Sequence, residues 1–142
     1  MTEPNHLTAR TVSDVLAFRD ERGWRKFHNP KDLAISLSLE ASELLECFQW
    51  SGADTEVPEK RAAMSEELAD VLIYGVLLAD RLDLNLDEVV RAKLAKNAAR
   101  YPAASCEGTL ERYDALKAAG RAERASELAA ADSKADGRSE GK

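Results

Sequence analysis

The chain has 142 residues, of which 44% are hydrophobic and 32% charged, and its formal net charge at pH 7 is −6. This length and composition predict a single globular domain with a substantial core, and they exclude fibrous and intrinsically disordered classes. The negative charge argues against a nucleic-acid polymer as partner, because non-specific binding to the phosphate backbone requires basic patches. A nucleotide accompanied by metal ions is not excluded.

Two further features concern the compartment. The chain has only two cysteines, Cys47 and Cys106, which favours reduced thiols over a disulfide scaffold. Residues 1–10 contain no apolar signal-like stretch, and no segment approaches the length of uncharged apolar sequence that spans a membrane. We therefore expect a soluble, cytoplasmic protein with no membrane partner.

Start and stop signals predict the first two helices. The first helix is expected to be capped by Thr11 or Ser13 and to end before Gly23. The second is expected to begin at residues 29–30, where an asparagine cap precedes a proline, and to end near Trp50.

Two more helices follow. The third is predicted to open at Pro58, after a loop at residues 52–57, and to run to about Leu82. The fourth begins at Asn85, in a pattern typical of a capping box, and ends near Arg100. Because no segment shows sustained strand alternation, the predicted fold is all-α, a four-helix bundle with short connections.

The expected organisation has three parts. Residues 1–10 form a flexible N-terminus, and residues 11–119 form the all-α domain, with a short additional helix between 109 and 119. Residues 120–142 are polar and alanine-rich, and are predicted to be a solvated helix or a disordered, flexible tail.

Two pairs of carboxylates at i,i+3 spacing carry the chemistry: Glu40 with Glu43, and Glu67 with Asp70. At about 100° per residue, Glu40 lies at the edge of the apolar stripe of the second helix, and Glu67 lies in the middle of an apolar arc of the third. A carboxylate is costly to bury unless a positive charge meets it. Four acids converging from two helices therefore predict a divalent-metal site, although a single such pair is common on solvated helices.

Aromatic residues flank the second helix. Trp24 and His28 precede it and Trp50 ends it. Such side chains either pack in a core or stack against a nucleobase, and the sequence favours neither reading for these three. Core packing is favoured for Phe27 and Phe48.

A polar stripe follows on the fourth helix, where Lys93, Asn97 and Arg100 recur at i, i+4 and i+7. A solvated face is the commoner explanation, and contact with polyphosphate oxygens is the competing one. A di-iron carboxylate bundle requires Glu-x-x-His motifs, and neither His6 nor His28 follows a glutamate at that spacing.

Three runs of sequence resemble a known superfamily: FHNPKDLAISLSLEASELLECFQW, EELADVLIYGVLLAD and KLAKNAARYP. They resemble the all-α nucleoside triphosphate pyrophosphohydrolases, the MazG-like proteins, over about residues 12–102. The signature is ExxE, a spacer and ExxD. The WxxFH motif and the FQW motif make the chain most similar to the dCTP pyrophosphatase-like subgroup.

The resemblance implies Mg²⁺-dependent cleavage of a nucleoside triphosphate between its α- and β-phosphates, on dCTP or a modified dCTP, by a homodimer or homotetramer. It implies that the metal ligands are Glu40, Glu43, Glu67 and Asp70. Glu43 and Glu40 would be the catalytic acids, with Glu43 orienting or deprotonating the water. The substrate-binding residues would be Trp24, His28 and Trp50 around the base, Tyr74 near the sugar, and Lys93, Asn97 and Arg100 at the phosphates or sugar. Two alternatives remain open: a broad-specificity hydrolase of noncanonical nucleoside triphosphates, and a noncatalytic helical interaction protein stabilised by a metal.

Overall fold

A computed structural model describes residues 7–102 and 110–136 of the chain. Within these ranges there are five α-helices and no β-strand, which confirms the all-α prediction. The helices are α1 (Ala9–Glu21), α2 (Pro30–Glu46), α3 (Arg61–Arg81), α4 (Leu86–Arg100) and α5 (Leu110–Asp136). Short 3-10 turns at Trp24–Lys26 and Pro58–Lys60 precede α2 and α3.

The helices belong to two compact units, one up to Val89 and one from Val90 onward. In the first unit α2 packs along α3, and α1 also packs against α3. Its buried apolar side chains come from α2, α3 and the loop between them: Leu33, Cys47, Val57, Val76, Leu77 and Ala79. The helix α3 is thus the central element, and both of its neighbours are positioned by contact with it.

The start of α1 differs from the prediction. The cap is Thr8, whose Oγ1 accepts a hydrogen bond from the Thr11 N–H at 3.1 Å, so neither Thr11 nor Ser13 is the cap. Since an N-cap hydroxyl satisfies a free N–H at the helix start, α1 begins at Ala9, inside the segment predicted to be a flexible N-terminus. It ends, as predicted, before Gly23, whose φ of +65° suits glycine.

The predicted start of α2 is confirmed, and its predicted end is wrong. Asn29 Oδ1 accepts from the Asp32 N–H at 3.0 Å, with proline at the first helical position. The α-helix ends at Glu46, because the following amides bond to carbonyls three residues back instead of four. The tightened turn finishes at Trp50, whose φ of +68° is left-handed.

The starts of α3 and α4 follow their predicted signals closely. Pro58 opens a 3-10 turn, and the α-helix itself begins at Arg61. At α4, Asn85 Oδ1 accepts from the amides of Asp87 and Glu88 at 3.0 and 3.3 Å. Glu88 reaches back to the side chain of Asn85, at 3.4 Å from its Nδ2, so the predicted capping at this end is confirmed in outline.

In the second unit α5 runs without interruption to Asp136, so the short helix predicted to end at residue 119 is in fact longer. Of the two alternatives for the tail, the helical one holds up to residue 136, and residues 137–142 lie outside the described ranges. Gly120 is buried here, and a Cβ at this position would meet the hydroxyl of Tyr101. Arg100 Nε also pairs with Glu123 Oε2 at 2.7 Å.

None of the five helices in the described ranges combines the length and the apolar character needed to span a membrane.

Candidate active site

Three of the four predicted acids come together between α2 and α3. Glu40 projects from α2, and Glu67 and Asp70 project from α3. One carboxylate oxygen of each lies within 4.8 Å of the others. This spacing allows a single cation to contact all three carboxylates, and carboxylate oxygens are the ligands that hard divalent cations prefer.

The acids of this cluster oppose one another's ionisation. Burial, followed by the charges of Glu43, Asp70 and Glu67, raises the pKa of Glu40 above its ordinary value. The pKa of Glu67 is raised in the same way, first by burial and then by the charges around it, those of Glu43 and Asp70 foremost. A group whose charged form is disfavoured by like charges is stabilised by a cation. The electrostatics therefore fit a metal site.

Glu43 stands slightly apart from these three acids. It is exposed and is not a member of the group whose oxygens lie within 4.8 Å. Its charge nevertheless contributes to the raised pKa of both Glu40 and Glu67. Glu43 therefore lies within electrostatic range of the cluster without completing it.

A cavity of about 460 Å³ opens beside the acidic cluster. This volume lies in the range of small-molecule binding sites. Three residues predicted to bind substrate, Trp24, His28 and Tyr74, belong to its wall. The rest of the wall comes from α1 and α3: Thr11, Asp14, Val15, Phe18, Arg19, Asp70, Ile73 and Leu77.

Aromatic rings form one side of this cavity. The Trp24 ring meets Phe18 edge-on, with centroids 5.7 Å apart and an interplanar angle of 79°. The ring of His28 lies 6.5 Å from that of Trp24, at a tilt of 54°. Trp24 is 44% exposed, so part of its surface remains available for stacking against a planar ligand.

His28 contributes an imidazole held in its neutral form. Burial, followed by the charge of Arg19, lowers the pKa of His28 below its ordinary value. Its Nδ1 is buried and has no hydrogen-bond partner among the described residues. A neutral imidazole offers one donor and one acceptor, so this residue suits recognition of an uncharged polar group.

Asp70 belongs both to the acidic cluster and to the cavity wall. The two features are therefore one continuous site. A ligand with a flat ring in the cavity would place its next groups toward the acids. This arrangement matches a molecule that has an aromatic base at one end and an anionic, metal-bound group at the other.

The remaining predicted residues are not among the residues that line this cavity. Trp50 is 91% exposed and is not part of the cavity wall. Lys93, Asn97 and Arg100 lie on the part of α4 that belongs to the second unit, where Arg100 pairs with Glu123. Their predicted contacts with substrate stay predictions.

The sequence interpretation missed the contribution of α1. Val15 and Phe18 were not among the predicted site residues, yet both line the cavity. Arg19 was not singled out, although it follows Val12 and Val15 at i+7 and i+4 and so occupies the apolar stripe. The same signal that identified Glu67, a charge at an apolar position, would have identified Arg19.

Comparisons with known proteins identify similar sequences. A model of the MazG-like family matches residues 35–116. The dCTP pyrophosphatase 1 of Mus musculus is 43% identical over 105 residues, and that of Homo sapiens is 41% identical over 104 residues. Each alignment covers 70% of this chain and 61% of the relative, so the chain spans less than two thirds of the length of these proteins.

A solved structure is similar along nearly its whole length. The crystal structure of a pyrophosphatase from Archaeoglobus fulgidus superposes with a TM-score of 0.62 at 43% sequence identity. The match covers 72% of this chain and 98% of the archaeal one. The fold and the sequence thus point to the same group of proteins.

Proposed function

Because the chain belongs to the MazG-like family, we propose that it is a Mg²⁺-dependent nucleoside triphosphate pyrophosphohydrolase that acts on dCTP or a modified dCTP. Water is added across the bond between the α- and β-phosphates, and the products are the nucleoside monophosphate and pyrophosphate. The observation that carries the proposal is the shared position of Asp70, which joins an acidic cluster to a base-sized cavity. The names of the similar proteins support the choice of dCTP.

The metal would be held by Glu40, Glu67 and Asp70, with Glu43 as the fourth acid. The donor set fits Mg²⁺, which takes oxygen ligands and is commonly held by a few carboxylates together with substrate phosphates. Bound Mg²⁺ would neutralise the triphosphate and lower the pKa of the attacking water.

Glu43 is proposed as the acid that orients the water and accepts its proton, with Glu40 as the second catalytic acid. Two observations support these roles: Glu43 is exposed, and it lies outside the group formed by Glu40, Glu67 and Asp70. An acid that is less enclosed than the ligands can receive a proton and exchange it with solvent. Glu40, on the same helix, would orient the same water from the side of the ligands.

The base would stack against Trp24 in the cavity, with His28 beside it and Tyr74 near the sugar. The partial exposure of Trp24 supports this assignment, because 44% of this residue remains accessible to a base. The neutral imidazole of His28 suits an uncharged pyrimidine better than an anionic group. On the second unit, Lys93, Asn97 and Arg100 are proposed to contact phosphate or sugar.

We also propose that the enzyme is a homodimer or homotetramer and that Trp50 acts on the cavity of a neighbouring copy. A tryptophan that is 91% exposed is costly in a monomer. Exposed apolar side chains on both α2 and α3 support a contact between copies: Ile35, Leu39, Leu45, Leu68 and Leu72.

We propose the cytoplasm as the compartment and nucleotides, not polymers or membranes, as the partners. The net charge of −6 supports the second part. Cys47, a buried free thiol 3.8 Å from the carbonyl oxygen of Glu43, supports a reducing environment. Cys106 lies outside the described residues.

The test is release of pyrophosphate from a panel of deoxynucleoside and noncanonical triphosphates with Mg²⁺. We expect release with dCTP foremost, together with dCMP, and loss of release in Glu67→Gln. Glu59→Gln is the matched control, since Glu59 is an exposed glutamate on the 3-10 turn before α3. Comparable release from many noncanonical triphosphates would favour the broad-specificity alternative. Stabilisation by metal without release from any substrate would favour the noncatalytic one.

A further inference from the structure

Arg19 is a buried charge at the wall of the cavity. Only 3% of its side chain is exposed, and burying a guanidinium is costly unless carboxylates meet it. Its Nε and Nη2 donate to the carboxylate of Asp20 at 2.7 and 3.0 Å, and its Nη1 donates to Asp80 at 2.5 Å. These bonds hold the pKa of Arg19 above its ordinary value, so the group stays charged.

The two carboxylates have different structural consequences. Asp20 is the next residue on α1, so its bond to Arg19 joins nothing beyond that helix. Asp80 lies on α3, and its bond fixes α1 to the central helix of the unit. The planar fork of Arg19 meets both carboxylates at once, which a lysine ammonium cannot reproduce.

The end of α1 that Arg19 anchors contains Phe18 and leads into the turn that contains Trp24. Phe18 precedes Arg19 and supports the Trp24 ring edge-on at 5.7 Å. The guanidinium of Arg22 lies 3.6 Å from the centroid of the Phe18 ring, and its Nη1 donates to the Phe18 carbonyl at 2.9 Å. A shift of the C-terminal turn of α1 would therefore move Phe18 and Trp24 together.

Arg19 also lines the cavity next to His28, and its charge adds to burial in keeping that imidazole neutral. Three of the N–H groups of Arg19 are already engaged by carboxylates. Arg19 is therefore placed to hold other parts of the cavity wall in position, and it is not proposed to bind the triphosphate.

We propose that Arg19 is a positioning residue for base recognition, acting through Asp80 to fix α1 against α3 and so to hold Phe18 and Trp24 in place in the cavity wall. This inference rests on the proposed function, since it assumes that the occupant of the cavity is a nucleobase. It assigns a role to a contact between helices and not to a group that touches the reacting phosphates.

The competing role is general stabilisation of the fold, in which case loss of either carboxylate would lower the melting temperature without a specific change in KM or in binding. The isosteric variants Asp80→Asn and Asp20→Asn separate the roles, because one weakens the link to α3 and the other a bond within α1. Arg19→Met removes the charge while keeping much of the side-chain volume, and Arg19→Lys tests rescue by a charge without the fork.

The variants are first compared by their KM and kcat for dCTP hydrolysis. We expect Asp80→Asn and Arg19→Met to raise KM about tenfold while kcat stays within about twofold, since the acids are untouched; a tenfold change corresponds to about 1.4 kcal/mol. Asp20→Asn should leave KM near the wild-type value, and Arg19→Lys should recover part of the loss. If Arg19→Met does not fold, the comparison of the two aspartate variants decides alone.

The same variants are titrated with a dCTP analogue that has an imido bridge between the α- and β-phosphates, by calorimetry with Mg²⁺. Weaker binding in Asp80→Asn than in Asp20→Asn supports the inference. Equal effects of the two variants on KM and on binding, or a loss confined to kcat, would overturn it. Wild-type protein that binds the analogue without releasing pyrophosphate from any triphosphate refutes the proposed function and leaves the binding comparison valid.

Discussion

Glu40 on α2 and Glu67 on α3 each hold a carboxylate oxygen within 4.8 Å of the other and of Asp70, although the two helices are separated by the loop that carries Trp50. The pKa of both glutamates is raised, mainly by burial and then by neighbouring acids. The α2–α3 packing therefore brings together charges that repel each other in the absence of a cation.

The first prediction is that Glu67→Gln stabilises the metal-free protein. A raised folded pKa means that the native state holds its proton more tightly than the unfolded state. The stabilisation from that proton is complete below the ordinary glutamate pKa, about 4.3, and is lost as the pH rises through the raised folded value. Above that raised value the wild type therefore bears the full repulsion, and the variant should melt at a higher temperature.

The measurement is thermal unfolding in EDTA at several pH values. The difference between Glu67→Gln and wild type should grow between the ordinary and the raised pKa and then level off. With Mg²⁺ the order should reverse, because the variant has lost a ligand. Glu59→Gln should track the wild type throughout. A variant that melts below the wild type in EDTA at pH 7.5 would show that the acids do not repel one another.

The second prediction concerns metal affinity. A metal ligand must be deprotonated to bind, so raised pKa values at Glu40 and Glu67 make Mg²⁺ compete with protons. We expect the Mg²⁺ dissociation constant, measured by calorimetry, to increase as the pH falls through the raised values. EDTA should abolish pyrophosphate release and added Mg²⁺ should restore it. A Mg²⁺ dissociation constant that does not change as the pH rises above the ordinary glutamate pKa, about 4.3, would contradict the assignment of these ligands.

The sequence was most informative where a polar residue interrupts a regular pattern. Glu67 was located in an apolar arc from angles alone, and the structure places it beside Glu40 and Asp70. Helix starts were predictable at Asn29 and Asn85, because an asparagine cap is a local interaction between neighbouring residues.

Non-local contacts were not predictable in the same way. The role of α1 in the cavity depends on the bond between Arg19 and Asp80, which are far apart in sequence. The early end of α2 comes from the tightened turn at residues 47–50, which finishes at a left-handed Trp50, a conformation for which the residue itself gives no signal. Residue spacing predicts which face of α4 carries Lys93, but it does not predict what that face contacts.

The third prediction concerns the loop between α2 and α3. Val57 is buried and has a φ of +44°, which is strained for a β-branched residue. Asp54 compensates, since its Oδ1 accepts from the amides of Glu56 and Val57 at 3.0 Å each. These bonds hold the pKa of Asp54 below its ordinary value, and Ser51 Oγ donates to the Asp54 carbonyl at 2.7 Å.

Asp54→Ala should lower the melting temperature by several degrees, as removal of a cap does in a small domain, whereas Asp54→Asn, which keeps an acceptor, should lower it less. The sign of the pH dependence also follows. The stabilisation from Asp54 is present above the unfolded pKa and disappears as the pH falls through the lowered folded value. Melting curves of the two variants against pH give the measurement. Equal melting temperatures for wild type and Asp54→Ala at pH 7 would show that the loop does not depend on this turn.

The fourth prediction tests whether Trp50 serves the cavity of a second copy. Trp24 lies in the wall of its own cavity, and Trp50 is 91% exposed. A base stacked on an aromatic side chain contributes about 1–3 kcal/mol, so Trp24→Ala and Trp50→Ala should each raise KM for dCTP by about tenfold or more.

In a homodimer, a Trp50→Ala subunit retains its acids, and a Glu67→Gln subunit retains its Trp50. Mixing the two after unfolding and refolding should therefore rebuild complete sites in the mixed dimers, up to about one quarter of all sites. A mixture of Trp24→Ala with Glu67→Gln is the matched control, because Trp24 and Glu67 then belong to the same subunit's site and no complete site forms. Recovery of low-KM activity in the first mixture alone supports action between subunits. No recovery in the first mixture, or a monomer by sedimentation at the assay concentration, would place Trp50 outside the site.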